Sequence, residues 1–268
     1  MRGRACLGQA QGNNAVPRSL LDDVTLRHGS VALLGRFLLA AESECLQRGV
    51  TLSFATFEDL ADVNARNRDS WKPLFPSYDP RFHAYTPENS LVILGRNAAG
   101  EVVTTVAGIL LQRGAMSLHA FTEALRVNYS DPDRFKQPGE RCIVTAPSMK
   151  TLPGRHWYGG ALWIHPSVRA HGLPDLLGRI TRVLGYGQFG MDYAIAYVVD
   201  GVVKGGITAR LGYQNVEWGL RFENSPMGSF DCAFAWMDRT HLEADIARWL
   251  AENAALEEDE RRAEPLSA

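Results

Sequence analysis

The sequence predicts an α/β protein of the α+β type, with a mixed and largely antiparallel central sheet flanked by helices. Residues 90–111 form two β-rich runs around a polar turn, which is typical of a hairpin. The β-prone runs 158–164 and 193–199 are separated by a loop and a helix, and a connection of that length joins parallel strands. Residues 215–237 again contain two β-rich runs around a turn, so most of the predicted pairings are antiparallel.

Helices are predicted on both sides of these strands. Apolar residues recur at three- and four-residue spacing over 31–48, and a short strand over 50–54 follows. Thr56, with Asp three residues later, resembles a capping box that opens the next helix. A helix over 203–211 and a final helix opened by a second capping box at Thr240 complete the set.

The chain of 268 residues is predicted to form one principal domain with extensions. Residues 1–49 are interpreted as a flexible lead-in and an N-terminal helical extension. The principal domain spans 50–237 and carries an insertion at about 112–157. Residues 238–268 supply a C-terminal helix and a charged tail.

The net charge of −2 gives no reason to expect a nucleic-acid partner or an anionic membrane. The N-terminus lacks an apolar signal segment, and no apolar run approaches membrane-spanning length. A cytoplasmic location is therefore the default expectation. The sequence also allows a homodimer.

Cysteine spacing argues against a zinc site and against a disulfide scaffold. Cys6, Cys45, Cys142 and Cys232 are far apart, and no Cys-x-x-Cys pair is present. Buried thiols are the prediction for all four, and no metal is expected.

An anion site is predicted where the run ending at Ile164 gives way to a polar loop and a helix. Pro174 stands in the first turn of that helix, a position that suits proline. Exposed amides at a helix start, with the positive end of the helix dipole, favour a bound phosphate. On the helix itself, Asp175 and Arg179 have the spacing of a weak ion pair.

These residues resemble the GNAT superfamily of acyl-CoA-dependent N-acyltransferases. The family's pyrophosphate loop is usually Arg/Gln-x-x-Gly-x-Gly/Ala, and Arg169 and Gly172 match it. A helix ending in Leu-Gly-aromatic is a second family feature, matched by the Leu-Gly-Tyr that ends at Tyr213. The resemblance implies a parallel strand pair that splays apart to admit acetyl-CoA or another acyl-CoA. The cofactor-binding residues that it implies are Trp163, Ile164, Arg169, Ala170, His171, Gly172, Leu173 and Pro174.

Two departures from the family pattern concern chemistry. Pro174 stands where the family has a small residue, and proline lacks the N–H of that position. Many family members have a tyrosine, which protonates the leaving thiolate, at the position that corresponds to Thr208. The resemblance then predicts direct attack of a small-molecule or protein amine, with a backbone N–H near residues 163–165 receiving the oxyanion.

Several side chains are candidate bases for that reaction. His165, Asp200 and Glu140 are the predicted catalytic residues, with Glu123 as an alternative to Glu140 and His83 as an outside candidate. His165 also has an ordinary structural interpretation, as a polar residue at a strand end that faces solvent. Tyr193 and Tyr197 alternate on one strand face and are interpreted mainly as core.

Two questions stay open at the level of sequence. The aromatic, proline-rich segment 71–85 either wraps the core or lines a pocket. The function is either N-acyl transfer from acyl-CoA to a primary amine or non-catalytic binding of acyl-CoA or another ligand by a sensor or interaction module. Thr208 and Pro174 favour the binding module, whereas Arg169 and Gly172 favour the enzyme.

Overall fold

The fold was analysed in a computed structural model that describes residues 19–263, without the side chains of residues 170–171 and 257–263. Within this part of the chain, eight strands form one sheet in the order β1-β2-β3-β5-β6-β8-β7-β4. The strands are β1 (Thr51–Ala55), β2 (Ser90–Arg96), β3 (Val102–Leu110), β4 (Arg141–Val144), β5 (His156–Ile164), β6 (Tyr193–Val199), β7 (Asn215–Ser225) and β8 (Gly228–Asp238). Every pairing is antiparallel except that of β5 with β6. The predicted fold class is confirmed.

Helices flank the sheet in the described part of the chain. They are α1 (Val31–Gln47), α2 (Phe57–Arg66), α3 (Leu118–Glu123), α4 (Pro132–Phe135), α5 (Ser148–Thr151), α6 (Leu173–Gly187), α7 (Asp200–Lys204), α8 (Ile207–Arg210) and α9 (Arg239–Ala263). The capping box at Thr56 is confirmed, since its side chain and that of Asp59 exchange hydrogen bonds with each other's backbone N–H.

Two helix predictions were wrong in detail. The predicted helix over 203–211 is two short helices, α7 and α8, because Gly206 adopts a left-handed φ of 70° between them. The last helix begins at Arg239 rather than at Thr240, because Asp238 caps it: its carboxylate accepts a hydrogen bond from the His241 N–H at 2.8 Å.

Strands β5 and β6 pair only over their first three residues and then separate. The last paired residues are Tyr158 and Ile195, although both strands continue beyond them. A β-bulge lies just past this point, where the pairing of β5 with β3 shifts and Ala161 has a φ of 48°. Because a bulge bends its strand and increases the local twist, it turns β5 away from β6. The predicted parallel pair and its splay are confirmed.

The N-terminal extension and the insertion occupy opposite ends of the sheet. Helix α1 contacts α6 and α9, and the Phe37 ring packs edge-on against Trp249 at 5.2 Å. The insertion supplies β4, which pairs with β7 as the outer strand of the sheet. The division of the chain into an extension, a principal domain and a tail stays a prediction.

Close packing of α6 on the sheet is centred on Trp157. This fully buried side chain fits between glycines: a β-carbon at Gly185 would lie 2.6 Å from the indole, and one at Gly108 would overlap it. Small residues at both positions let the helix approach the strands closely. This places the first turn of α6 directly over the gap between β5 and β6.

Buried Asp245 fixes α9 against α6. Arg179 donates to its carboxylate from α6 at 2.8 Å, and Arg248 donates at 2.9 Å. The predicted pairing of Arg179 with the Asp175 carboxylate was wrong, because the guanidinium is held by Asp245 and reaches only the Asp175 carbonyl. A β-carbon at Gly212 would lie 2.7 Å from the Asp245 carboxylate, so the end of α8 also rests on this group.

Cys45, Cys142 and Cys232 are free and buried, as predicted. Burial raises the pKa of the Cys45 and Cys232 thiols to about 12. These thiols are therefore uncharged at neutral pH and pack as small apolar groups. Cys6 lies outside the described residues.

Buried His156 should make the protein less stable in acid. Desolvation, together with the nearby Arg113 charge, lowers the pKa of His156 to about 4, against 6.5 for an unperturbed imidazole. The unfolded chain therefore binds a proton below pH 6.5 that the folded chain does not. The contribution of His156 to the free energy of unfolding is therefore fully present above pH 6.5. It falls by about 1.4 kcal/mol per pH unit between pH 6.5 and pH 4.

The prediction is tested with His156→Phe, which keeps a ring to stack on Tyr193 but cannot ionise. Between pH 7 and 4.5, wild-type protein should lose about 2–3 kcal/mol more unfolding free energy than the variant, measured by urea denaturation. Equal losses in the two proteins would contradict the role of His156.

Candidate active site

A cavity, here called the wedge, lies where β5 and β6 separate. Its volume is about 600 Å³, and α6 closes one side of it. Its lining comes from β5, β6, α6 and the segment that follows β6, and includes Gly159, Gly160, Leu162, Trp163, Ile164, Pro174, Gly178, Arg182, Ala196, Val198, Ile207 and Tyr213. Most of these side chains are apolar, as in pockets that hold the carbon skeleton of a ligand.

The wide end of the wedge carries the predicted phosphate loop. Pro166–His171 forms a 3-10 turn, Gly172 follows with a left-handed φ of 64°, and α6 begins at Leu173. Gly172, the N-cap residue of α6, has no side chain that could accept from the first N–H groups of the helix. Those N–H groups also have no carbonyl acceptor within the helix itself. The loop therefore has the backbone geometry of an anion site at the positive end of α6.

Two arginines stand beside this loop. Arg169 lines the wedge, and its Nε donates to the Ile164 carbonyl at 3.2 Å. Arg48 comes from the end of α1, where it forms an ion pair with Glu44 at 2.6 Å. A β-carbon at Gly172 would lie 3.3 Å from Arg48 Nη1, so this guanidinium covers the turn. Arg169 adds positive charge where a phosphate would lie, and Arg48 adds hydrogen-bond donors there, although its charge is balanced by Glu44.

Tyr213 and Arg182 stand at the narrow end of the wedge. A β-carbon at Gly159 would lie 3.9 Å from the Tyr213 hydroxyl, which places that hydroxyl beside the point where the strands separate. The Arg182 guanidinium lies 4.8 Å from the centre of the Tyr213 ring and donates to the Leu211 carbonyl. Arg182 is buried, and its Nε has no hydrogen-bond partner among the described residues. Burial lowers the pKa of Arg182, and Tyr213 and Asp245 oppose this shift.

A second cavity, here called the inner pocket, continues the wedge through the gap between the strands. Its volume is about 230 Å³. The two cavities share part of their lining: Trp71, Gly159, Gly160, Leu162, Tyr197 and Val199. Residues 71–78 of the aromatic segment form one wall of this pocket, while Phe82 and Tyr85 pack against the core, so both interpretations of the segment hold in part.

Tyr78, from this segment, reaches the floor of the inner pocket. Its hydroxyl donates to the Tyr158 carbonyl at 3.4 Å, and a β-carbon at Gly160 would overlap its ring. Burial raises the pKa of Tyr78 well above its ordinary value, so the hydroxyl stays protonated. Gly159 and Gly160 are thus approached by Tyr213 on one side of the sheet and by Tyr78 on the other.

A wide surface groove of about 1340 Å³ leads from the inner pocket to solvent. Lys72, Pro73, Val199, Met227 and Phe230 line both. The groove runs along β7 and β8 and is open to solvent. A continuous path therefore connects the phosphate loop, the narrow end of the wedge and the opposite face of the sheet.

The predicted catalytic residues do not come together. His165 caps the 3-10 turn through its Nδ1, which accepts from the Ser167 N–H at 3.2 Å, and it does not line the wedge. Asp200 lines the wide groove and pairs with Lys204 at 2.7 Å. Glu140 accepts from the Tyr129 hydroxyl at 3.0 Å inside the insertion, apart from the three cavities. Their roles as bases stay predictions.

The alternative bases also have structural partners. Glu123 accepts from the Val144 N–H at 3.3 Å and lies 3.5 Å from His119. His83 is half-buried, and desolvation lowers its pKa. Tyr197 is half-buried and shares a hydrogen bond of 2.6 Å with Thr122, while its ring lines both the wedge and the inner pocket.

Unlike the predicted bases, several of the predicted cofactor-binding residues lie together around the wedge. Trp163, Ile164, Arg169 and Pro174 line the wedge. Leu173 is fully buried in the core and can contribute only its backbone. The side chains of Ala170 and His171 lie outside the described part of the structure.

Sequence reasoning missed four residues at the site: Arg48, Tyr78, Arg182 and Tyr213. Tyr213 was noted only as part of the Leu-Gly-Tyr helix ending, and Tyr78 only as one aromatic of many. Arg182 interrupts the apolar stripe of α6, which is the one signal that could have identified it. The approach of Arg48 to Gly172 depends on how α1 packs, which no local pattern encodes.

Two further observations apply to the described residues, 19–263. No group of three or more His, Cys, Asp or Glu side chains is arranged to hold a metal ion. None of the helices has both the length and the apolar character that crossing a membrane requires.

Solved acetyltransferase structures resemble this chain. The aminoglycoside acetyltransferase AAC(6')-Ib with coenzyme A and kanamycin shares 15% identity, with 73% of this chain and 98% of that chain covered and a TM-score of 0.41. NAA60 of Arabidopsis thaliana with acetyl-CoA shares 14% identity over 71% of this chain and 99% of that chain, at a TM-score of 0.41. FdhC, described as a nucleotide-linked sugar GNAT, shares 8% identity over 76% and 94%, at a TM-score of 0.38. No protein-family model matches the sequence, and no curated protein matches it.

Proposed function

We propose that this protein is an N-acyltransferase that transfers an acetyl or other acyl group from acyl-CoA to a primary amine by direct attack. The wedge carries the proposal: an apolar cavity of about 600 Å³ between two separating strands, with an anion loop at its wide end. Coenzyme A has the matching shape, because a long pantetheine arm joins its phosphates to the thioester. The continuous path to the inner pocket gives an acceptor amine access from the other face of the sheet.

The chain offers separate groups for the two ends of acyl-CoA. The amides at the start of α6, together with Arg169 and Arg48, would hold the phosphates. Pro174 provides no N–H there, so Arg169 and Arg48 would carry more of the phosphate binding than a loop with a small residue would require. The apolar walls of the wedge would bury the pantetheine arm.

Backbone amides at the bulge are the proposed oxyanion donors. Ala161 and Leu162 fall between residues that pair with β3, so the bulge leaves them outside the ladder. The His165 N–H, at the edge of the region that the sequence predicts, already donates to the Val103 carbonyl at 2.8 Å. The N–H groups of the bulge are therefore better candidates for stabilising the tetrahedral intermediate.

Tyr213 is the proposed proton donor to the leaving thiolate. Its hydroxyl lies beside Gly159, at the narrow end that the sulfur would reach. Thr208, at the position of the family tyrosine, does not line the wedge. The buried Arg182 charge next to the Tyr213 ring would further stabilise a developing thiolate. Asp200, which lines the groove, stays the proposed base for an amine that enters through it, whereas His165 lines none of the three cavities.

Thermal unfolding and turnover together test this function. Because a ligand that binds only the native state stabilises it, coenzyme A at 100 times its Kd should add about 2.7 kcal/mol. Acetyl-CoA with an acceptable amine should then release free thiol. Binding without turnover would favour the alternative, a non-catalytic module that senses acyl-CoA. No change in Tm at saturating coenzyme A would contradict both.

A further inference from the structure

The inner pocket has an unusual lining for a site that must admit an amine. Six of its residues are aromatic: Trp71, Phe75, Tyr78, Tyr158, Tyr197 and Phe230. No carboxylate and no imidazole belongs to the lining, and its one charged residue among the described side chains is Lys72. An ammonium ion entering this pocket would lose hydration without gaining a counter-ion, which costs several kcal/mol, and attraction to the aromatic rings, worth about 0.5–2 kcal/mol, offsets only part of this cost.

The aromatic rings are fixed in place. Tyr158 packs against Tyr197 with ring centres 4.9 Å apart and against Tyr78 at 5.4 Å. Phe230 stacks on Phe222 at 5.3 Å. Burial raises the pKa of Tyr78 and Tyr197 well above the ordinary value, so neither supplies a negative charge. The pocket therefore presents rigid, neutral ring surfaces, which suit a flat aromatic group.

We propose that the acceptor is a small, weakly basic aromatic amine, in which the nitrogen is attached directly to the ring. This inference rests on the proposed acyl-transfer function and names its substrate class. The lone pair of such an amine is delocalised into the ring, so the amine is neutral at pH 7 and needs no base before it attacks. An aliphatic amine, with a pKa near the value of about 10.4 for lysine, would have to lose a proton first.

The volume of the inner pocket and the charge at its entrance both favour a small aromatic amine as the acceptor. A volume of about 230 Å³ is below the ~300–1,000 Å³ range of typical ligand pockets, so the acceptor has room for only one or two rings. Lys72 lines both the inner pocket and the groove that leads to it. The two carboxylates of the groove, Asp200 and Asp231, pair with Lys204 and Arg221, so the positive charge of Lys72 disfavours polycationic amines at the entrance.

The reaction balances without a further reactant. The amine nitrogen forms a bond to the thioester carbonyl carbon, and the C–S bond breaks. The nitrogen gives up one proton to solvent, and the sulfur receives one from the Tyr213 hydroxyl, which regains it from solvent. The products are an N-aryl amide and free coenzyme A.

The test compares three amines with the full chain and acetyl-CoA: p-toluidine, benzylamine and spermidine. At pH 7, kcat/KM for p-toluidine should exceed that for benzylamine by at least about tenfold, and spermidine should be the poorest acceptor. Between pH 6 and 9 the value for p-toluidine should be nearly constant, whereas that for benzylamine should rise about tenfold per pH unit.

A change of pocket charge provides an independent readout. Met227 lines the entrance, and Met227→Glu supplies a carboxylate there, with Met227→Gln as its uncharged control. The Glu variant should lower KM for benzylamine about tenfold relative to the Gln variant, and should not lower KM for p-toluidine.

The outcomes separate this inference from the proposed function. If coenzyme A fails to raise Tm, the proposed function fails with it. If coenzyme A binds and benzylamine or spermidine is acetylated in preference at pH 7, acyl transfer stands and the aromatic-amine class is overturned. The same class is overturned if coenzyme A binds and p-toluidine is not acetylated.

Discussion

Replacing Gly172 with valine is expected to weaken coenzyme A binding by at least about 100-fold, which corresponds to about 2.7 kcal/mol. Gly172 has a left-handed φ of 64°, and its missing β-carbon leaves 3.3 Å to Arg48 Nη1. A branched side chain would fill the space over the turn, displace Arg48 and distort the amides at the start of α6. Titration with coenzyme A, followed by calorimetry or by Tm, measures the effect.

Gly100→Val is the matched control for this substitution. Gly100 also has a left-handed φ, of 80°, but lies in the hairpin turn with no atom within 4 Å of its missing β-carbon. Both variants should lose about 1–3 kcal/mol of stability from backbone strain, but only Gly172→Val should lose coenzyme A binding. Unchanged affinity in Gly172→Val would show that this loop does not hold the phosphates.

The sheet was predictable because its signals are local. The hairpin of β2 and β3 follows from two β-rich runs and a polar turn, and the parallel pair from the length of its connection. The same local rules explain the errors. Thr240 resembles a helix cap in sequence, but Asp238 stands two residues earlier and captures the helix start. Gly206 sits inside a helical pattern and ends the first helix, because its backbone turns left-handed.

The loop that begins the site was predictable because its signals are also local. The side chains that would carry the chemistry were not predictable from sequence. Arg169 and Gly172 lie within one short motif, so sequence alone places them together. Arg182 and Tyr213 meet at the narrow end of the wedge, and Tyr78 reaches the same strand from the inner pocket, only because three distant segments pack against β5 and β6. No spacing encodes that convergence. His165 and Asp200 are predicted bases because they follow the two strands in sequence, and Glu140 because the insertion could reach the site; the fold gives His165 and Glu140 other hydrogen-bond partners.

We propose that Tyr213, with Arg182 beneath its ring, takes the role that a tyrosine at position 208 has in many GNAT proteins. The Leu-Gly-Tyr ending places an aromatic side chain next to the wedge, and α6 supplies a buried guanidinium beneath its ring. Gly212 is held in its left-handed turn over Asp245, which Arg179 also holds. The position of the Tyr213 hydroxyl is therefore fixed by the packing of α9 on α6, because Tyr213 itself lies beyond the end of α8.

Tyr213→Phe is expected to lower kcat by about 100-fold, because general acid catalysis contributes about 10²–10⁴-fold. The phenyl ring keeps the packing on Arg182 and the walls of the wedge, so coenzyme A should bind with wild-type affinity. Single-turnover measurement of thiol release reports the chemical step, and the Tm shift reports binding. A loss in kcat without a loss in affinity separates proton donation from a merely structural role.

Thr208→Ala is the control variant, at the position where many GNAT proteins have a tyrosine. Thr208 does not line the wedge, so kcat should stay within about twofold of wild type, and the variant should unfold at a similar temperature.

The dependence of the rate on the acidity of the leaving thiol adds a second readout for Tyr213→Phe. A thioester whose thiol is more acidic needs less protonation, so the defect of Tyr213→Phe should shrink with such a donor. If the defect is equal for both donors, Tyr213 does not protonate the thiolate, and Arg182 alone would be left at the narrow end to stabilise it.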